Sequence, residues 1–261
     1  MKSSSSIALF LLGVLLVSTP ASALQVTLNP VAFNTMYAED PTRASGQSTS
    51  LFLGPIADGS PRRILLRFDP TSLPPTAVVT RARLNMVVNR AAIASASSDS
   101  IAVHRVLASW GQGTAIGPGG GGGTQASAGD ATWTARLFNT PPAIPSLLWT
   151  SPGGDFNPVP SRAGTMGVSI GTIVVDSTSG MVADIESWRS NPAGNHGWIV
   201  IGPEGEAFSQ KARRVVGVTL TVDYELRSAA VPGFGPVSLL IALFALAGLG
   251  YRLHARRQAP A

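Results

Sequence analysis

The stretch GVTLTVDYE, residues 217–225, alternates without a break: Val218, Leu220, Val222 and Tyr224 are apolar, and Thr219, Thr221, Asp223 and Glu225 between them are polar. Successive side chains of a strand point to opposite faces, so a period of two predicts one buried face and one wet face. VTRARLNMVV (79–88) repeats the pattern, with Ala82, Leu84, Met86 and Val88 inward and Arg81, Arg83 and Asn85 outward. RRILLRF (62–68) puts Ile64, Leu66 and Phe68 on one side. IAVHRVL (101–107), GTIVVD (171–176) and GWIVIG (197–202) are further strand runs, rich in β-branched residues.

One segment keeps a different period. In SGMVADIESWRSNPAG (179–194), Met181, Val182, Ile185 and Trp188 share one helical face, while Asp184, Glu186 and Arg189 face out. Ser179 is placed to cap its start, and Asn191-Pro192 stops it. Strands separated by Gly/Pro-rich turns, with a single short helix, predict an all-β antiparallel jelly-roll β-sandwich of one domain.

The two ends carry addresses rather than fold. MKSSSSIALFLLGVLLVSTPASA has a basic start, an apolar run from Ile7 to Val17 and the small-residue pattern Ala21-Ser22-Ala23. It reads as a signal peptide over 1–23, cleaved before Leu24. At the other end, Val237 to Tyr251 holds no charge, and Arg252, Arg256 and Arg257 follow. With the flanking Pro232–Pro236 stretch this approaches the ~20 residues of a transmembrane helix, and the arginines would stay cytoplasmic. The expected division is signal peptide 1–23, sandwich domain 24–227, linker and sorting motif 228–236, transmembrane segment 237–251 and basic tail 252–261.

Charge then falls into place. The formal net charge is +5, with nineteen bases and fourteen acids. Lys2 sits in the leader and Arg252, Arg256 and Arg257 follow the span, leaving fifteen bases against fourteen acids in the exported part. That near balance argues against nucleic acid as a partner. There is no cysteine, so neither a disulfide framework nor thiolate chemistry is available, and the core itself must supply stability. The exported part keeps two histidines, His104 and His196, too few for a His-rich metal site.

Two resemblances follow from ordered segments. TMYAEDPTRASGQSTSLFLGP (35–55), RRILLRFD (62–69), SLPPTAVVTRARLNM (72–86) and IAVHRVLASWGQGT (101–114) come first. The glycine tract, GDATW (129–133), LLWTSPGGDF (147–156), VADIESW (182–188) and GWIVIG (197–202) complete the series. Together the exported part resembles the DNRLRE-type domain, a β-jelly-roll of secreted bacterial and archaeal proteins classed among carbohydrate-binding modules. The eponymous hexapeptide is absent, and QKARRVVGVTLTVDYE keeps only the last strand. The tail, with Val231, Pro232, Gly233, Phe234 and Gly235 before the span and arginines after it, resembles the PEP-CTERM and PGF-CTERM sorting signals. That resemblance implies an exosortase-like protease as partner, beside the export machinery and the membrane, and a chain tethered at or released from the cell envelope.

Candidate chemistry is sparse. GPGGGGGTQASAGDATW (117–133) has the glycines of a phosphate loop but no lysine after them and a predicted strand, not a helix, at Asp130–Trp133. It reads as a surface loop anchored where Trp133 rejoins the fold. Gly167-Val168-Ser169-Ile170-Gly171 is a literal G-x-S-x-G, followed by Asp176 or Asp184 and then His196. A nucleophile elbow needs a helix after the serine; TIVVD follows, so Ser169 reads as a strand residue and no catalytic residue is assigned. His104, in IAVHRV, reads as a hydrogen-bonded strand histidine. Asp130, Asp155 and Glu39-Asp40 are loop acids open to three readings: turn formation, a structural calcium, or paired carboxylates for glycoside cleavage. No cofactor is assigned.

The aromatics are the better lead. Trp110, Trp133 and Trp149 cluster in the loop-rich section 108–156, with Phe138 and Phe156 beside them. Sugar rings stack on such side chains, and Arg136 and Asp155 can bind hydroxyls, which makes Trp110, Trp133, Trp149, Arg136 and Asp155 the candidate polysaccharide site. The same rings can instead pin long loops to the sandwich. Trp188 and Trp198 read as core. The function expected is a non-catalytic, envelope-tethered module that binds polysaccharide or builds the surface matrix; the alternatives are a purely structural protein and a polysaccharide-degrading enzyme.

Overall fold

The computed structural model describes residues 23–118, 121–139, 145–205, 210–227 and Phe244. The chain divides into two units, Met1–Glu225 and Leu226–Ala261, and of the second only Leu226, Arg227 and Phe244 are described. The sorting motif Val231, Pro232, Gly233, Phe234 and Gly235 and the tail 252–261 therefore lie outside the described residues. So do the signal peptide, apart from Ala23, and the span 237–251, apart from Phe244. Among the described residues no helix is long and apolar enough to cross a membrane.

The strands in chain order are β1 (Leu24–Leu28), β2 (Pro30–Tyr37), β3 (Arg43–Ala44), β4 (Leu51–Leu53), β5 (Arg62–Phe68), β6 (Ala77–Ala91) and β7 (Ser100–Arg105). They continue as β8 (Thr124–Gln125), β9 (Ala135–Leu137), β10 (Leu147–Leu148), β11 (Arg162–Thr165), β12 (Gly171–Val175), β13 (Trp198–Ile201) and β14 (Arg213–Leu226), with the helix α1 (Ser179–Ser190) between β12 and β13. The first sheet runs β1-β14-β6-β12, with β4 also on β14; the second runs β11-β7-β13-β5-β2. Pairing is antiparallel in both: β1 and β4 on β14, β12 on β6, β13 on β5 and β7, and β2 on β5.

The inner faces of both sheets meet in one core. Ala82, Leu84, Met86 and Val88 of β6 and Leu220 and Val222 of β14 pack with Ile64, Leu66 and Phe68 of β5, and with Trp198 and Val200 of β13. These are the inward residues that the period of two predicts. At both margins the chain crosses from one sheet to the other: β1 passes through Asn29 into β2, and β11 leads through 166–170 into β12. Leu24 pairs with Tyr224, so the first strand starts where the last one finishes.

Three details differ from the sequence reading. The helix is capped by Thr178, whose side chain accepts from the Met181 N–H at 3.2 Å, one residue before Ser179. Asp184 does not face out: it is buried, accepting from Trp198 Nε1 at 2.7 Å and Ser161 Oγ at 2.5 Å. Trp198 stacks edge-on against Trp188 at 4.8 Å, and this trio fixes α1 to the second sheet. The third difference is β5, where Leu65 is as buried as Ile64 and Leu66. The reason is a second apolar layer. Ala32, Met36, Leu65 and Ile199 on the outer face of the second sheet are covered by Val106, Trp110, Ala131 and Trp149.

Candidate functional site

The section 108–156 is thus a cap folded over the outer face of the second sheet. Trp110 is 3% exposed and Trp149 5% exposed. Each indole N–H donates to a backbone carbonyl, Trp110 to His196 at 2.8 Å and Trp149 to Thr132 at 2.9 Å. A buried tryptophan ordinarily needs such an acceptor, and these two have one inside the fold. Neither presents an open ring face. Trp133 is half-buried, with the Arg63 guanidinium 4.8 Å from its centroid. The three rings therefore do not form one exposed platform.

The two polar candidates are engaged in the cap as well. Arg136 Nη1 donates to the Ser109 carbonyl and hydroxyl, both at 3.1 Å. Asp155 accepts from the Thr150 N–H at 2.9 and 3.0 Å and from the Ser151 N–H at 3.2 Å, closing the turn after Trp149. The structure keeps all five residues in this segment and engages the polar groups of Trp110, Trp149, Arg136 and Asp155 in holding it.

Arg63 is the residue that sequence reasoning missed. Its Nε and Nη2 grip Glu204 at 2.8 and 2.7 Å, its Nη1 donates to the Gly153 carbonyl at 2.8 Å, and Phe156 lies beside it at 5.6 Å. One side chain ties β5 to the middle and the end of the cap and to Glu204 beyond β13. The available signal was its place on the outward face of a strand whose neighbour Leu65 is apolar, a pattern of a sheet covered on both sides.

The described glycines of the tract are packed against the fold. Arg43 Nη1 donates to the Gly122 and Gly123 carbonyls at 3.0 and 3.2 Å, and the Gly117 N–H donates to Ser48 Oγ at 2.7 Å. Gly123 has φ +60°, and a Cβ there would stand 2.7 Å from the Tyr37 ring. Asp130–Trp133 forms no strand; β9 begins at Ala135. Asp130 is instead a buried latch, accepting from the Ser127 N–H at 2.6 Å and the Ala115 N–H at 3.3 Å. Burial pushes its carboxyl above the ordinary value, and these backbone donors only partly offset that.

The remaining acids and the hydrolase-like triplet resolve in the same way. Asp40 accepts from Thr42 and Arg43, and Glu39 from Arg62. Among the described residues no three His, Cys, Asp or Glu side chains gather as a metal site. Ser169 lies in the turn before β12, not in a strand, and its hydroxyl donates to the Ser95 carbonyl at 3.1 Å. His104 bonds the Asn157 carbonyl through Nδ1 at 2.8 Å. His196 is held below the ordinary histidine value by burial, then by Arg67, Arg105 and Arg136 around it.

No family model matches this chain, and no curated protein matches it.

Proposed function

We propose that this chain is an exported, envelope-tethered β-sandwich of jelly-roll type without catalytic activity, serving as a structural module of the cell surface or its matrix. The observation that carries the reading is the burial of Trp110 and Trp149 with both N–H groups bonded to backbone. The aromatic section then acts as a second apolar layer, and its stability serves the fold rather than a ligand. The crossings between sheets at both margins support the jelly-roll form. The Leu24–Tyr224 pair supports the export reading, since cleavage before Leu24 leaves β1 whole and sets the new N-terminus beside the strand that leads to the tail.

The test is location. A tagged chain expressed in its own cells is expected in the envelope fraction, cut by protease added outside, with Leu24 as its mature N-terminus. A chain that stays cytoplasmic and protease-protected overturns the proposal.

Polysaccharide binding is a second reading, favoured by one ring. Trp133 is half-buried, with Arg63 stacked on it. A glycan array with the wild-type chain and Trp133→Ala checks it: loss of a glycan signal with the ring supports binding, and no signal from the wild type retires it.

A further inference from the structure

A cleft of about 540 Å³ opens where β6 ends and β14 begins, walled by Phe52, Ile56, Arg62, Arg90, Ile93 and Arg213. We infer that it binds a phosphate-type oxyanion carried on an apolar body. Nothing in the structural-module reading requires this site, and the inference stands apart from where the chain resides.

Two arginines with unspent donors, Arg90 and Arg62, supply the oxyanion half. Arg90 is exposed and has no hydrogen bond or ion pair among the described residues. Arg62 commits Nε and Nη2 to Glu39 and leaves Nη1 beside Gly121. Its guanidinium lies 5.2 Å from the Tyr37 centroid and 5.7 Å from the Phe52 centroid, so its position is set before any ligand arrives. Arg213 is fully buried beneath the wall and held there: Nη2 donates to Asp99 and to the Ala96 carbonyl, both at 2.7 Å, and Nη1 to the Lys211 carbonyl at 3.2 Å. It shapes the floor and does not reach a ligand. Free donors on two separate arginines match a doubly charged oxyanion with three terminal oxygens better than a singly charged carboxylate with two.

The apolar half is equally specific. Ile93 is 99% exposed at the lip, an unusual position for an isoleucine, and Ile56 and Phe52 line the wall inside it. An oxyanion alone would leave these contacts unused. The cleft also sits at the start of β14, whose fourteen residues separate it by roughly 45 Å from the point where the chain leaves the sheet.

Calorimetric titration of the full chain with phenyl phosphate, inorganic phosphate and benzoate tests the site. Phenyl phosphate is expected to bind tightest. Arg90→Gln, an exposed substitution whose folding is checked by its melting midpoint, is expected to weaken both phosphates by about tenfold or more. Ile93→Ser is expected to remove the preference for phenyl phosphate over inorganic phosphate while leaving the latter's affinity unchanged. No saturable phosphate binding, benzoate binding as tightly as phenyl phosphate, or an Arg90→Gln chain that binds like wild type overturns the inference. A chain that proves to be cytoplasmic sinks the surface reading and leaves this titration untouched.

Discussion

Arg63 stands 4.8 Å from the centre of the Trp133 ring while two of its nitrogens hold Glu204 at 2.8 and 2.7 Å. The pair is three-quarters or more shielded from water, so its charges are only weakly screened. Arg63→Ala is expected to cost about 3 kcal/mol, because it leaves Glu204 without its cation and the Gly153 carbonyl without a donor. Arg63→Lys is expected to restore little, since an ammonium can neither grip the carboxylate through two donors nor stack on the indole. Urea unfolding of both variants, with near-ultraviolet circular dichroism reporting Trp133, checks this. A lysine variant as stable as wild type contradicts it.

Neighbouring glycines are expected to differ sharply. Gly123 has φ +60° and its missing Cβ would stand 2.7 Å from the Tyr37 ring, whereas a Cβ at Gly122 meets nothing nearer than Arg43 Nη1 at 3.9 Å. Gly123→Ala is expected to destabilise by roughly 2 kcal/mol, through a strained backbone and a clash with a buried ring. Gly122→Ala is expected to stay within about 0.5 kcal/mol of wild type. Thermal melting of the two variants decides whether the tract is packed as described.

Acid should loosen the loop that joins β6 to β7. Burial pushes the Asp99 carboxyl up, but the Ala96 N–H, Arg213 and Lys211 together outweigh it and hold the group below its ordinary value of 3.8. A group with a lowered folded value binds its proton more weakly than the unfolded chain does. Its contribution is therefore full above pH 3.8 and is lost as pH falls through the lower, folded value. Asp99→Asn is expected to be less stable than wild type at pH 7, with the gap closing in strong acid. Asp130 pulls the other way, because burial raises its folded value and ionisation at neutral pH works against the fold. Denaturation curves of wild type and Asp99→Asn from pH 2 to 7 carry the answer; a constant gap across that range rules out the Asp99 account.

Two aspartates near the helix should behave oppositely. Asp184→Ala strips the acceptor from Trp198 Nε1, buried in the core, and from Ser161 Oγ, and is expected to cost about 2–4 kcal/mol. Asp176→Ala removes a pair with Arg81 whose side chains are 57% and 51% exposed, and no measurable change in the melting midpoint is expected.

These contrasts also show what the sequence discloses. β6 and β14 were legible because one face of each meets water, so their alternation maps directly onto burial. β5 and β13 were legible as strands, and Ile64, Leu66 and Phe68 as an inner face, but the burial of Leu65 and Ile199 on the other face was not, since the section 108–156 covers it and erases the polar half of the pattern. ILL in β5 and WIVI in β13 are continuous apolar runs, and that was the readable sign of a second layer. Asp184 was misplaced because Trp198, its donor, comes from a different element and no local period reports it. Trp110, Trp133 and Trp149, close in sequence, also pack in one apolar cluster. Which way each ring turned depends on carbonyls at His196 and Thr132, and spacing along the chain carries no information about that.

The register that sets Leu24 against Tyr224 has a mechanical consequence. A load applied along β14 acts on a strand flanked by β1 and β4 on one side and β6 on the other. Such a load shears many backbone bonds at once instead of peeling them one after another, so this long last strand resists force applied along its axis.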